Sequence, residues 1–315
     1  MSSTETTYQV ASVLELRQAI EAARDGDVIR MEAGEYTVYD LDYRWGDEAY
    51  DLREEAGLPH EQNVSNTGPI QIDKSLTFEA VPTAEHERVD LFSTGPYPKG
   101  LFTIEPWVET TVVDGFGFYG AKGLWNASSA GIRHQGGDLT VRNSVFGDNN
   151  NGILSQAVDQ PDPNGGGFVS TLGDVVIEDS EFFGAGNSGL QHNIYIYSDS
   201  LTVTGSTFHD MKLGHHIKSM SKQTIIRDNV IYDGDGNASR AVDVSGGGEL
   251  VIADNHIIKG AASNNGEFFF YSAFRKHGSP GSITITGNTL IDEGAPDRPI
   301  LFNQSDVIAV VENND

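Results

Sequence analysis

Six eight-residue segments of this chain can be written beneath one another: LTVRNSVF from Leu139, VVIEDSEF from Val175, LTVTGSTF from Leu201, TIIRDNVI from Thr224, LVIADNHI from Leu250 and ITITGNTL from Ile283. Each has an apolar third residue, Asn, Asp or Gly at the fifth place, Ser or Asn at the sixth, and an apolar eighth. The third-place residues Val141, Ile177, Val203, Ile226, Ile252 and Ile285 are 36, 26, 23, 26 and 33 residues apart. A degenerate copy, TTVVDGFGF, precedes the set, and VIAVVEN follows it. A unit this short cannot bury its own apolar face, so it must stack on its neighbours.

Alternating apolar places make one-sided strands, and the Asx/Gly–Ser/Asn pair is turn chemistry. Each period continues into a second short strand: GIRH, GILS, NIYIY, HIKS, AVDV, FFFY and ILFN. Helical solenoids would need a sustained 3.6-residue period, and leucine-rich repeats their leucine frame; both are absent. The expected fold is all-β: a parallel β-helix solenoid, right-handed by the crossover rule.

SVLELRQAIEAARDGD predicts one amphipathic capping helix over about residues 12–25, with Leu16, Ile20 and Ala23 on one face. Ser12 and Glu15 form a capping-box pattern, and Gly26 follows the last turn. Such a helix would cover the open end of the first coil, and DVIRMEAGEYTV would begin the strands. The stretches at about 40–68 and 155–173 are too irregular for coils and read as projecting loops. Residues 1–315 are expected to form a single domain.

Taking Ile132, Ile153, Ile194, Ile217 and Val242 as inward, strand alternation turns their neighbours outward. That places Arg133, Leu154, Tyr195, Lys218 and Asp243 on one strip, with Asn193 and His216 beside them. His192, His215 and Arg240, at the strand entrances, could turn toward the same surface. The stretch LGHHIKSMSKQ is thus expected to be one rung of an outward polar groove. An ordinary cross-strand pair between Lys218 and Asp243 would explain only part of this convergence. FRKHGS adds Arg275 and His277 as residues that could reach along the groove, and LPHEQN is a weaker candidate in an irregular loop.

With 46 Asp and Glu against 20 Lys and Arg, the net charge is −26, which disfavours nucleic acid. The acidity serves solubility, and a carboxylate cluster holding calcium is the functional reading left open. No apolar run is long enough to cross a membrane as a helix. Without cysteine there is neither a disulfide framework nor a thiolate zinc site. The opening MSSTETTYQV lacks the pattern of a secretory signal. The expectation is therefore export by another route or a trimmed chain, with a cytoplasmic location still open.

On the repeat pattern and the cap helix over residues 10–315, the chain resembles the right-handed parallel β-helix superfamily of pectate lyases, alginate lyases and mannuronan C5-epimerases. HNIYIY, GHHIKS and RAVDVSGGGELVIADN are similar to stretches of bacterial β-helix proteins. The resemblance implies action on a uronic-acid polysaccharide, with Lys, Arg, His or Tyr moving protons and Ca2+ often assisting. PHEQ at 59–62 resembles part of an epimerase motif, but Leu58 stands where that motif carries aspartate. Mapped onto the strip, the expected reaction is β-elimination on an anionic polysaccharide. Lys218 or His216 would be the base and Tyr195 the proton donor, while Arg133, Arg240, His215 or Asn193 would neutralise the uronate. His192, Asp243 and Arg275 would complete the substrate-binding set. No residue is singled out as a metal ligand, and the oligomeric state is left open. The alternatives are a glycoside hydrolase pairing Asp243 with Asp159, Asp162 or Asp199, a C5-epimerase, or a tailspike-like carbohydrate-binding protein using Trp45, Trp107 and Trp125.

Overall fold

The structure is a computed structural model that describes residues 5–38, 69–93, 100–123, 129–155, 159–161, 168–170, 172–186, 188–234, 236–273, 280–294 and 297–315. Among the described residues the chain forms three parallel sheets of eleven, nine and nine strands. Each coil contributes one strand to each sheet in turn, as in Ser200–Thr204, Thr207–His209 and His215–Ser219. The next coil repeats this with Gln223–Arg227, Val230–Tyr232 and Arg240–Val244.

The eight-residue repeat is therefore two strands with a corner between them, rather than one strand and a turn. Its fifth-place residue makes the corner in the left-handed backbone region, with φ of 51° at Asn143, 46° at Asp179, 57° at Asp228 and 57° at Asp254. Gly205 and Gly287 take the same place at φ 62° and 69°. Only Gly, Asn and Asp visit that region readily, which is why the fifth place admits nothing else.

The sixth-place residues line the inside of the corner as a hydrogen-bonded ladder. The amide N–H of Ser144 donates to Ser180 Oγ and that of Ser180 to Ser206 Oγ, each at 3.1 Å. The N–H of Ser206 then donates to Asn229 Oδ1 at 2.9 Å, and Asn229, Asn255 and Asn288 continue to the next asparagine at 3.0 Å each. The eighth-place residues stack in the core, with ring centroids 4.6 Å apart for Phe146–Phe182 and 4.8 Å for Phe182–Phe208. One continuous apolar cluster runs from Val10 to Ile285.

At the N-terminal end the helix spans Val13–Ala22, and Ser12 accepts from the amide of Glu15 at 3.2 Å. Glu15 reaches back to accept from the amide of Ala11 at 2.7 Å, one residue before the cap, rather than from Ser12 as a strict capping box would. Leu16, Ile20 and Ala23 are buried on the first coil as their spacing predicts. One strand precedes the helix, Thr7–Val10, which pairs in parallel with Val28–Glu32. Of the two irregular stretches, 40–68 lies outside the described residues. Within 155–173, Asp159–Pro161 and Phe168–Ser170 pair as a short antiparallel ribbon.

Candidate active site

The third sheet carries the strip. Its register aligns Arg133 with Leu154, Leu154 with Tyr195, Tyr195 with Lys218, and Lys218 with Asp243. Phe270 and Phe302 continue the same column. One residue per coil at the strand spacing of about 4.8 Å makes this a straight row along the solenoid axis. Lys218 Nζ lies 5.4 Å from the centroid of the Tyr195 ring and 3.8 Å from Asp243 Oδ1.

Alternation fails one place before each inward residue. The amides of Gly152 and Ile153 both donate to the Asn193 carbonyl, at 2.8 and 3.2 Å. Those of Ala241 and Val242 both donate to the Phe268 carbonyl, at 3.1 and 3.4 Å. Two successive amides on one acceptor form a bulge, so two successive side chains face the interior. A Cβ at Gly131 would meet Phe118 and Phe146, and one at Gly152 would meet Phe182, all core residues.

This corrects two expectations. His216 and Asn193 do not stand on the groove; they are fully buried beneath it. His216 Nδ1 takes the Asn193 amide at 3.1 Å, and its Nε2 lies 3.1 Å from Asp233 Oδ1. Asp233 Oδ2 accepts from the Gly260 amide at 2.8 Å. A histidine locked between an amide and a buried carboxylate cannot reach a substrate on the outer face.

The same bulge swings the residue two places before the inward one onto the outer face. His192 and His215 stack at 5.0 Å with their planes 3° apart, and His215 pairs in register with Arg240. His192 Nδ1 accepts from the His215 amide at 3.0 Å, so its proton sits on Nε2. Burial, followed by the neighbouring charges His215 and Lys218, holds His192 well below the usual histidine range. Burial followed by Lys218 and Arg240 does the same for His215. Both rings are neutral at neutral pH, so His215 does not neutralise a uronate by charge as the sequence predicted. His215 instead faces Asp243 Oδ2 at 3.3 Å.

Arg240 is held on two edges and one face. Its Nε donates to Glu267 Oε1 at 2.6 Å and its Nη1 to Asp243 Oδ2 at 3.1 Å, while the guanidinium lies 4.5 Å over the Phe270 ring. Its Nη2 has no hydrogen bond among the described residues. Asp243 is closed in by Lys218, Arg240, His215 and the Ser245 hydroxyl. Lys218 is thus matched by Asp243, and Arg240 by Asp243 and Glu267, so the strip is a charge-paired network. Glu267, which sequence reasoning missed, lies in an irregular coil with no repeat signal to place it. Burial lowers the pKa of Arg133 as well.

Arg275, His277, the PHEQ stretch, Trp45, Trp125 and Asp162 lie outside the described residues. Trp107 is exposed and donates to the Asp73 carbonyl at 3.1 Å, away from the strip. Asp199 pairs with Lys222 at 2.5 Å. Among the described residues no three His, Asp or Glu side chains are grouped to hold a metal ion.

A family model described as the right-handed beta helix region matches residues 130–315. The chain belongs to the right-handed parallel β-helix family. Among solved structures it is similar to an alginate lyase from Paenibacillus sp. str. FPU-7, with a TM-score of 0.62 and 16% identity over 98% of this chain and 94% of that one. It is similar to the PL6 family alginate lyase AlyGC with a TM-score of 0.56 and 16% identity, over 99% of this chain but 39% of AlyGC. ORF18 of Geobacillus virus E2 aligns with a TM-score of 0.52 and 12% identity, over 92% of this chain and 56% of that one. No curated protein matches the sequence. At these identities the likenesses establish the fold alone.

Proposed function

We propose that this protein is a polysaccharide lyase that cleaves an anionic, uronic-acid-containing polysaccharide by β-elimination along the outer face of the third sheet. The observation that carries the reading is the register Tyr195–Lys218–Asp243, with Arg240 reaching the same carboxylate. The lyase neighbours support the substrate class.

Abstracting the proton α to a uronate places further negative charge on an already anionic group, so the carboxylate needs a cation. Arg240 offers its open Nη2 edge on a guanidinium prevented from turning, and Arg133 stands on the same row. Lys218 is the base that takes the C5 proton. The electron pair forms the C4–C5 double bond as the C4–O bond to the leaving sugar breaks. The Tyr195 hydroxyl protonates that oxygen. Asp243 orients Lys218 and Arg240 together. Hydrolysis fits less well, because Asp243 and Glu267 are both buried in ion pairs with Arg240 and neither is presented as an acid or nucleophile.

The test is ultraviolet absorbance of the unsaturated product during incubation with a panel of polyuronates. A rise is expected, falling about a hundredfold or more in Lys218→Ala and Tyr195→Phe at unchanged thermal midpoint. New reducing ends without absorbance would replace elimination by hydrolysis.

A further inference from the structure

Lys259 ends the second-sheet strand His256–Lys259 and is 2% exposed, on the inner side of the corner behind the strip. A buried lysine is costly, and no step proposed above uses this one. Its Nζ donates to the Ser239 carbonyl at 2.9 Å and to Ser263 Oγ at 2.5 Å. Ser239 is the residue immediately before Arg240. The Ser263 hydroxyl donates to the Ala238 carbonyl at 2.7 Å, and Asn265 reaches the Ser239 hydroxyl. The same loop, 260–267, ends at Glu267, which grips Arg240 Nε at 2.6 Å. The lysine thus ties together the two segments that hold Arg240, one through the backbone before it and one through its side-chain partner.

We propose that Lys259 is a positioning residue for Arg240, fixing from behind the guanidinium whose open edge meets the substrate. Three elements packed against it carry charges that face it: Asp233 from the preceding coil, Glu267 and Arg240 from the strand entrances, and Arg298 from the following coil. His215 lies within its electrostatic reach as well, and His216 acts on it through Asp233. Burial, opposed by Asp233, brings Lys259 down to about 8. Losing its proton leaves two N–H groups for its two acceptors but removes the positive charge that Asp233 and Glu267 face, so the clamp slackens at mildly alkaline pH.

The substrate role of Arg240 rests on the lyase reading, but the clamp can be read without turnover. In a 1H–15N correlation spectrum, the Arg240 Nε–H signal is assigned by its loss in Arg240→Lys. That signal is expected to be sharp at neutral pH and to broaden with a midpoint near 8. In Lys259→Met it is broad throughout, with no step. On a polyuronate that the protein cleaves, Lys259→Met is expected to lower kcat/KM about tenfold, chiefly through kcat, because the guanidinium acts on charge that builds in the transition state. Lys259→Arg, which keeps the charge, restores the sharp signal and moves the step out of the range. A folded Lys259→Met with a wild-type Arg240 signal and pH profile would overturn the proposal. So would a wild-type signal with no step near 8. Should Lys259→Met fail to fold, Ser263→Ala keeps the charge but cuts one tie; it must broaden the Arg240 signal, and an unchanged signal again overturns the idea. Failure of the lyase reading would show separately, as an absent unsaturated product with the step intact.

Discussion

His216 and Lys218 are two residues apart and differ in everything that decides their use. Lys218 stands on the outer row, while His216 is sealed between Asn193 and Asp233. Removing His216 leaves two buried polar groups unpaired, each costing about 1–3 kcal/mol. His216→Ala is therefore expected to lower stability by at least that amount in chemical denaturation, and to lose activity only in proportion to the unfolded fraction. Lys218→Ala is expected to do the reverse. Lys259 has a signed effect of its own on stability. Its folded pKa of about 8 lies below the ordinary lysine value of 10.5, so between those values the unfolded chain binds the proton more tightly. Folding stability from this group rises with pH through that window while the Arg240 clamp loosens.

At the scale of the element, the corner between first and second sheets carries the solenoid. Asn255 makes the point: its Oδ1 accepts from the amide and side chain of Asn229, and its Nδ2 donates to the carbonyls of Ile226 and Ala253 and to Asn288. All of this lies out of water, so Asn255→Ala strands several groups at once. A loss of about 2–4 kcal/mol is expected in urea denaturation, with Asn255→Ser recovering part of it because serine occupies the same rung at 144, 180 and 206. Equal losses for both substitutions would mean that the ladder's hydrogen bonds do not stabilise the corner. The repeat was legible because this corner imposes two demands at once, a left-handed backbone and a buried polar side chain. Few residues meet either demand.

For the whole molecule, the pH response follows from histidines spread over several coils. Burial brings His134 to about 4 and holds His192 and His215 well below their ordinary value. In the unfolded chain they titrate near 6.5, so below that pH the unfolded state binds the extra protons. Stability is expected to fall as pH drops from about 6.5 towards 4.5, before carboxylates protonate and relieve the net charge of −26. A thermal midpoint that stays level or rises across this window would show that these rings are not held neutral. The sequence alone determined the coil, its corners, the capping helix and the row Arg133–Leu154–Tyr195–Lys218–Asp243, because all of these follow from periodicity and from residues with few conformational choices. Only the tertiary structure decided that His216 and Asn193 are buried, that His192 and His215 stack neutral, and that Glu267 and Lys259 brace Arg240. The reason is the bulge: two amides sharing one carbonyl break the alternation on which the sequence reading depends. Such a bulge is set by how neighbouring coils stack, which no single strand records.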